Sequence, residues 1–274
     1  MIHACLNTNL AADASNQAER MLAELASLQG DVDRETTYAA RVEAGKLCWD
    51  RGRKRVVFDT VRRLLVAMCP GNERCMFCED TAASDVEHFR PKTLHPELVF
   101  VWANFLYACS ICNGPAYKGT KLKVRMPNGI IVDLIQGKNN SVVPPAKGEP
   151  LLINPRYEDP LDLLALDLTT GVLSERHKSG FKCERAIYTI KTLGLNERET
   201  LVQARKNTYT TARDSLEKIA QLISLRAPAE EIRRRKEAIL RHTHRTVWEE
   251  MRSQREQYLE LRTLFQQVPE ALDW

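Results

Sequence analysis

Cys75-Met76-Phe77-Cys78, Val86-Glu87-His88-Phe89-Arg90-Pro91-Lys92, Trp102-Ala103-Asn104 and Cys109-Ser110-Ile111-Cys112-Asn113 follow one another closely, with Lys118-Gly119 just behind. Two thiol pairs bracket a Glu-His dipeptide and two asparagines. Zinc prefers four thiolates or imidazoles in a tetrahedron, and a Cys-x-x-Cys turn supplies two ligands at the right separation. Cys75, Cys78, Cys109 and Cys112 are therefore expected to hold one structural zinc ion. The pairs lie well apart along the chain, so the ion closes a long loop and stabilises the segment between them. Two redox dithiols are the alternative, but neither pair sits in the βαβ context such a motif needs.

The totals set bounds. A hydrophobic fraction of 43% over 274 residues is that of an ordinary folded protein, with room for a small domain inside a larger scaffold. Forty basic residues against 36 acidic give a net charge of +4, an excess that permits nucleic-acid binding without demonstrating it. No apolar run is long enough to span a bilayer, and Met1 to Leu10 lacks the charged start and apolar core of a signal peptide, so a cytoplasmic location is expected. The other cysteines, Cys5, Cys48, Cys69 and Cys183, show no ligand spacing and read as small buried apolar residues.

Outward from the motif, helical spacing dominates. Met21, Leu22, Leu25 and Leu28 share one face, and Val57, Val61, Leu64, Leu65 and Met68 recur at three and four, so two or three helices precede the cysteines. Pro70-Gly71-Asn72 breaks the last of them. Val86 to Phe89 suits a strand, Arg90 to Glu97 with its two prolines a loop, Leu106 to Ala108 a returning strand, and a short helix opens near Ser110. Residues 122–150 form an irregular crossing around Gly137-Lys138-Asn139-Asn140, with one short strand at Ile130 to Ile135 and a turn later at Thr169-Thr170-Gly171-Val172. Helices return from Phe181. Asn196 with Glu199 resembles a capping box opening a helix to about Leu225, and Pro228 begins a last helix running to about Gln267. Four regions result: an N-terminal helical region (1–70), a core with the zinc knuckle (71–125), an irregular connection with short strands (126–180) and a C-terminal helical region (181–274).

The dipeptide and the asparagines suggest phosphodiester hydrolysis, which needs a deprotonated water, a cation to neutralise developing charge and positioned donors. His88 titrates near neutral pH and suits the general base. The Glu87 carboxylate and the Asn113 amide oxygen are hard ligands suited to magnesium or manganese. Adjacent strand residues point to opposite sides, so Glu87 and His88 share a task only where the strand ends or bends, and Pro91 makes an ending plausible. Arg51, Arg53, Lys54, Arg55, Arg62 and Arg63 form a basic run that reads equally well as a phosphate-tracking surface or a solvated helix face.

From Cys75 to Lys121 these residues resemble the HNH, or ββα-metal, endonucleases. The resemblance implies an α+β, mostly helical chain in which a ββα-metal core with a four-cysteine zinc site is flanked by N-terminal and C-terminal helices. It gives water activation to His88, a catalytic divalent cation (magnesium or manganese) to Glu87 and Asn113, and loop-holding to Asn104, with cleavage leaving a 5′-phosphate and a 3′-hydroxyl. Lys118 and Lys121 are its candidates for the phosphate-contacting lysine, and Arg90 and Lys92 read equally well as nucleic-acid contacts or as residues solvating a loop, the polymer being DNA ahead of RNA. Two positions depart from the common pattern: Glu87 stands where many relatives have Asp, and Gly114-Pro115-Ala116-Tyr117 sets Lys118 further from Asn113. More loosely, Leu151-Leu152-Ile153-Asn154-Pro155, Asp159-Pro160 and Leu193-Gly194-Leu195-Asn196 are similar to the nuclease subunits of Septu-type and some retron anti-phage defence systems, which implies an ATPase protein partner; no membrane association is expected, since no apolar run reaches bilayer length. The competing reading is a non-catalytic zinc knuckle that binds nucleic acid or protein.

Overall fold

In the computed structural model, which describes residues 12–69, 73–134, 142–242 and 244–274, amphipathic spacing builds the first layer. Three helices, α1 (Ala12–Asp33), α2 (Tyr38–Gly52) and α3 (Val57–Ala67), precede the cysteines. Met21, Leu25, Leu28 and Val32 of α1 are buried, as are Val57, Phe58, Val61 and Leu65 of α3, the three- and four-residue recurrence of one helix face. Thr37 caps α2 by accepting a hydrogen bond from the Ala40 amide. Gly52 ends α2 where a Cβ would stand 2.9 Å from the Phe100 ring, so only glycine lets the helix close on that ring. The Pro70-Gly71-Asn72 break, Cys5 and the Gly137-Lys138-Asn139-Asn140 loop lie outside the described residues.

Strand β1 (Ala83–His88) pairs antiparallel with β2 (Phe105–Cys109), setting His88 opposite Phe105 and Glu87 opposite Leu106, with an irregularity between Ala83 and Asp85. Every residue of β2 is buried, because α3 packs against it. The chain passes from β2 into α4 (Ser110–Asn113), which packs on β1. The loop between the strands contains two 3-10 turns, Pro96–Leu98 and Trp102–Asn104. Trp49, Phe58, Phe100 and Phe105 form an aromatic cluster beneath this hairpin, with ring centroids 5.2 to 6.4 Å apart.

Where one short strand was expected in 122–150, a three-stranded sheet ordered β4 (Ile131–Asp133), β3 (Lys123–Arg125), β5 (Glu149–Pro150) joins the end of the core to the connecting region. That region then forms a hairpin of β6 (Leu164–Leu166) and β7 (Leu173–Glu175). At that hairpin's turn the Asp167 carboxylate accepts from the amides of Thr169 and Thr170, and Gly171 takes a positive φ of 71°.

Among the described residues five helices follow: α5 (Gly180–Thr192), α6 (Glu199–Ser224), α7 (Ala229–His242), α8 (Arg245–Ser253) and α9 (Leu259–Gln267). Two expectations are corrected here. Asn196 does not cap α6: its amide brackets Leu173, accepting from the backbone nitrogen at 2.9 Å and donating to the carbonyl at 2.7 Å. The expected single last helix is divided into α7, α8 and α9. Glu250, wholly buried, accepts from the Leu166 amide and pairs with Arg176, while Gln254 donates to the Leu166 carbonyl. Docking onto β6 thus outweighs continuous helix propensity. Taken together the described residues are mostly helical with three small sheets. No helix among them is long and apolar enough to cross a membrane.

Candidate functional site

The sulfur atoms of Cys75, Cys78, Cys109 and Cys112 all lie within 4.8 Å of one another, and those of Cys78 and Cys109 are 3.8 Å apart. A tetrahedron with metal–sulfur bonds of about 2.3 Å has sulfur–sulfur edges of about 3.8 Å. The local chain explains the convergence. After Cys75 a tight turn returns the Glu79 amide to the Cys75 carbonyl at 2.8 Å, and Glu79 adopts a φ of 65°. The Met76 amide donates to the Tyr107 carbonyl at 2.9 Å, which docks this turn on β2 beside Cys109. Cys109 ends β2, and its sulfur accepts from the Cys112 amide on α4 at 3.4 Å. All four thiols are buried. Contact with Cys112, then with Cys75 and Cys78, holds the Cys109 thiol well below its ordinary value, whereas burial pushes Cys75 up. Number, softness and spacing of these donors fit one metal ion in a closed tetrathiolate site.

His88 is the last residue of β1 and is 4% exposed. Its Nε2 lies 2.8 Å from the Val99 carbonyl, so Nε2 carries the proton and Nδ1 keeps its lone pair. Among the described residues Nδ1 makes no hydrogen bond, nor is it one of the buried partnerless nitrogens. The ring is fixed by Trp49, 4.3 Å between centroids, and by Phe105 at 5.3 Å. Burial, with Lys92 and Lys118 nearby, pulls its pKa down to about 3.

Asn104 closes the loop after β1. Its Oδ1 accepts from the Arg90 amide at 2.8 Å, and its Nδ2 donates to the carbonyls of Arg90 and Leu98 at 3.0 and 3.1 Å. Glu87 and Asn113 face different partners. The Glu87 carboxylate is ion-paired with Lys118, and burial raises its pKa against the opposing pull of that lysine. The Asn113 amide donates to Asp85 at 3.0 Å. Glu87 and Asn113 are hard oxygen donors of the kind magnesium and manganese take. As placed, however, each is engaged elsewhere, and among the described residues the four cysteines are the one cluster of three or more histidine, cysteine or acidic ligands.

The four basic candidates differ in setting. Lys118, expected against phosphate, is instead fully buried, its ammonium turned to Glu87 and to the carbonyls of His88 and Gly119 at 2.7 and 3.1 Å. The extra residues after Asn113 form a bend, with the Lys118 amide on the Cys112 carbonyl, that folds the side chain inward. Lys121 is exposed and donates to the Ala116 carbonyl at 2.8 Å. Arg90 and Lys92 are half-buried, and the Lys92 ammonium lies 5.7 Å from the Trp49 ring centroid. The basic side chains from Arg51 to Arg63 are exposed, and Arg53, Arg55 and Arg62 pair with Asp50, Glu24 and Asp59.

Sequence reasoning missed Trp49, Asp85 and Arg156. Arg156, 2% exposed, donates to the carbonyls of Trp102 and Phe105 at 2.5 and 2.9 Å and lies 4.6 Å from the Trp102 ring, fastening the connecting region to the start of β2. The period-two partnership of Asp85 with Glu87 on one strand was a signal available in the sequence. The contacts of Trp49 and Arg156 are long-range and left none.

No protein-family model matches the chain. A 54-residue stretch is 43% identical to the Septu protein PtuB of Bacillus thuringiensis, covering 18% of this chain and 20% of that relative. The chain thus shares about a fifth of the length of that curated relative.

Proposed function

We propose that the protein is a metal-dependent endonuclease of the HNH type, with β1, β2 and α4 as its ββα-metal core and the tetrathiolate as a structural zinc site. The observation that carries this reading is the setting of His88: at the end of a strand, tethered through Nε2 to the Val99 carbonyl, with a loop held shut by Asn104 just behind it. That tether leaves Nδ1 as the base toward a water molecule. Asn104 supports the reaction indirectly, because its three hydrogen bonds fix the backbone through Arg90 and so the direction of the imidazole. Bound near Glu87 and Asn113, magnesium or manganese would supply charge neutralisation at the scissile phosphate. Those two side chains have the right chemistry for it; for Glu87 to serve, the Lys118 ammonium must first leave.

The short likeness to the Septu protein PtuB and the looser phrases in 151–205 support a role as effector nuclease of a bacterial anti-phage system working with an ATPase partner. In that reading the helices on either side of the core are docking surfaces. The test is incubation of purified protein with plasmid DNA and with total RNA, in magnesium, manganese or chelator, alone and with any copurifying protein. Metal-dependent scission supports the reading and identifies the polymer. Nucleic-acid binding without scission under all these conditions favours a non-catalytic zinc knuckle, for which the wholly internal Glu87–Lys118 pair is the supporting observation.

A further inference from the structure

The phrase Leu193-Gly194-Leu195-Asn196-Glu197-Arg198 joins α5 to α6 and takes no part in the proposed chemistry. Three of its residues reach elements distant in sequence. Gly194, at a φ of 56°, lies against the Tyr117 ring so closely that a Cβ would stand 2.0 Å from the ring. Asn196 brackets Leu173, as described above. Arg198 then meets the metal-ligand set: its Nη2 donates to the Cys112 sulfur at 3.4 Å, and its guanidinium lies 5.0 Å from the Tyr117 ring centroid.

Beyond the sulfur and the Tyr117 ring, that guanidinium meets no further hydrogen-bond partner among the described residues. Its Nε and Nη1 are buried without a hydrogen-bond partner, and a cation taken out of water with unsatisfied donors is costly unless negative charge lies nearby. Four thiolates around a divalent metal carry a net double negative charge, which supplies it. Arg205, the next guanidinium, is engaged with the carbonyls of Gly171 and Leu195 at 2.7 and 2.5 Å. Among the described residues Arg198 is the cation in hydrogen-bond contact with one of the four sulfurs.

We propose that Arg198 is the positioning residue and counter-charge of the tetrathiolate, donating to the Cys112 thiolate and offsetting the charge of the metal-bound set, so that the α5–α6 junction is locked to the knuckle. This rests on the reading of Cys75, Cys78, Cys109 and Cys112 as metal ligands. Guanidinium donation to sulfur orients the Cys112 ligand and fixes α4 against the C-terminal helices.

The test uses the full chain and four variants, Arg198→Met, Arg198→Gln, Arg198→Lys and Cys112→Ser. Zinc content and the rate of zinc release to excess chelator are measured, together with the spectrum of the cobalt-substituted protein. Arg198→Met is expected to release zinc about 10- to 100-fold faster than wild type, the usual size of outer-shell effects. Its sulfur-to-cobalt charge-transfer band is expected at longer wavelength, because the sulfur lone pair loses a hydrogen bond; a purely structural role would leave that band in place. Arg198→Lys, which keeps the charge, is expected between the two. Release at the wild-type rate with an unmoved band in Arg198→Met overturns the proposal. Should Arg198→Met fail to fold, Arg198→Gln is set against Arg198→Lys, and equal release rates overturn it. A wild-type chain that holds no metal, like Cys112→Ser, removes the tetrathiolate reading and the proposal with it; a zinc-loaded chain indifferent to Arg198 removes the proposal alone.

Discussion

His88 joins its environment to its chemistry most directly. Burial holds its pKa near 3, not near neutral pH as expected from the sequence, so the ring is neutral at any ordinary pH but a weaker base than a free imidazole. The limb of the cleavage rate that reports the base should therefore stay flat from about pH 8 down to about pH 5, rather than falling near 6.5; a midpoint close to 6.5 would contradict this. The same shift links to stability. The unfolded chain binds the proton that the folded one refuses, so the contribution of the group is present in full above about pH 6.5 and is lost as pH falls toward 3. The stability difference between wild type and His88→Phe in urea unfolding should move against wild type across that window; a constant difference would count against the buried setting. Lys118 invites a second measurement. Lys118→Met would leave the Glu87 carboxylate buried and unpaired, at a cost of about 3–5 kcal/mol, and adding Glu87→Gln should restore much of the loss. If the single variant unfolds at the wild-type urea concentration, the pair is not internal.

Among the elements, the hairpin and short helix that bear the cysteines depend on the connection that presses on them. Gly194→Ala would combine a left-handed backbone with a collision against Tyr117, costing about 2 kcal/mol or more, measured as a lower thermal midpoint; adding Tyr117→Ala should recover the steric part. Much of this level was legible in the sequence. Cys-x-x-Cys spacing brought two turns to one point, and the apolar recurrence of Met21, Leu25 and Leu28 and of Val57, Val61 and Leu65 marked the helical faces, because both are local signals; Leu22, read onto the first of those faces, is exposed. Asn196 read as a cap because it lies three residues before Glu199; its true partner, Leu173, begins β7, a strand 23 residues away that local pattern cannot bring to it. The breaks between α7, α8 and α9 were hidden for the same reason, since neither glycine nor proline marks them and Glu250 and Gln254 gain their partners only in the folded chain. Lys118 looked like a surface contact until the bend after Asn113 turned it inward.

For the whole molecule, the tetrathiolate ties the turn after Cys75, the end of β2, the start of α4 and, through Arg198, the C-terminal helices. Stripping the metal should lower the thermal midpoint of the entire chain, and hydrogen exchange should quicken both at 75–112 and at 193–198, because binding free energy at such a site is folding free energy. Exchange confined to the first segment would mean that the helical scaffold stands independently of the knuckle. Pinned core, tethered imidazole and loop-holding asparagine together serve one proposed act, the cutting of phosphodiester bonds with His88 as base. It is tested by the rate of plasmid or RNA scission by zinc-loaded wild type and zinc-loaded His88→Ala, matched for thermal stability, in manganese and in chelator. Scission by wild type in manganese is expected, with a loss of about 100-fold or more in His88→Ala. Equal scission by the two proteins would contradict that role for His88.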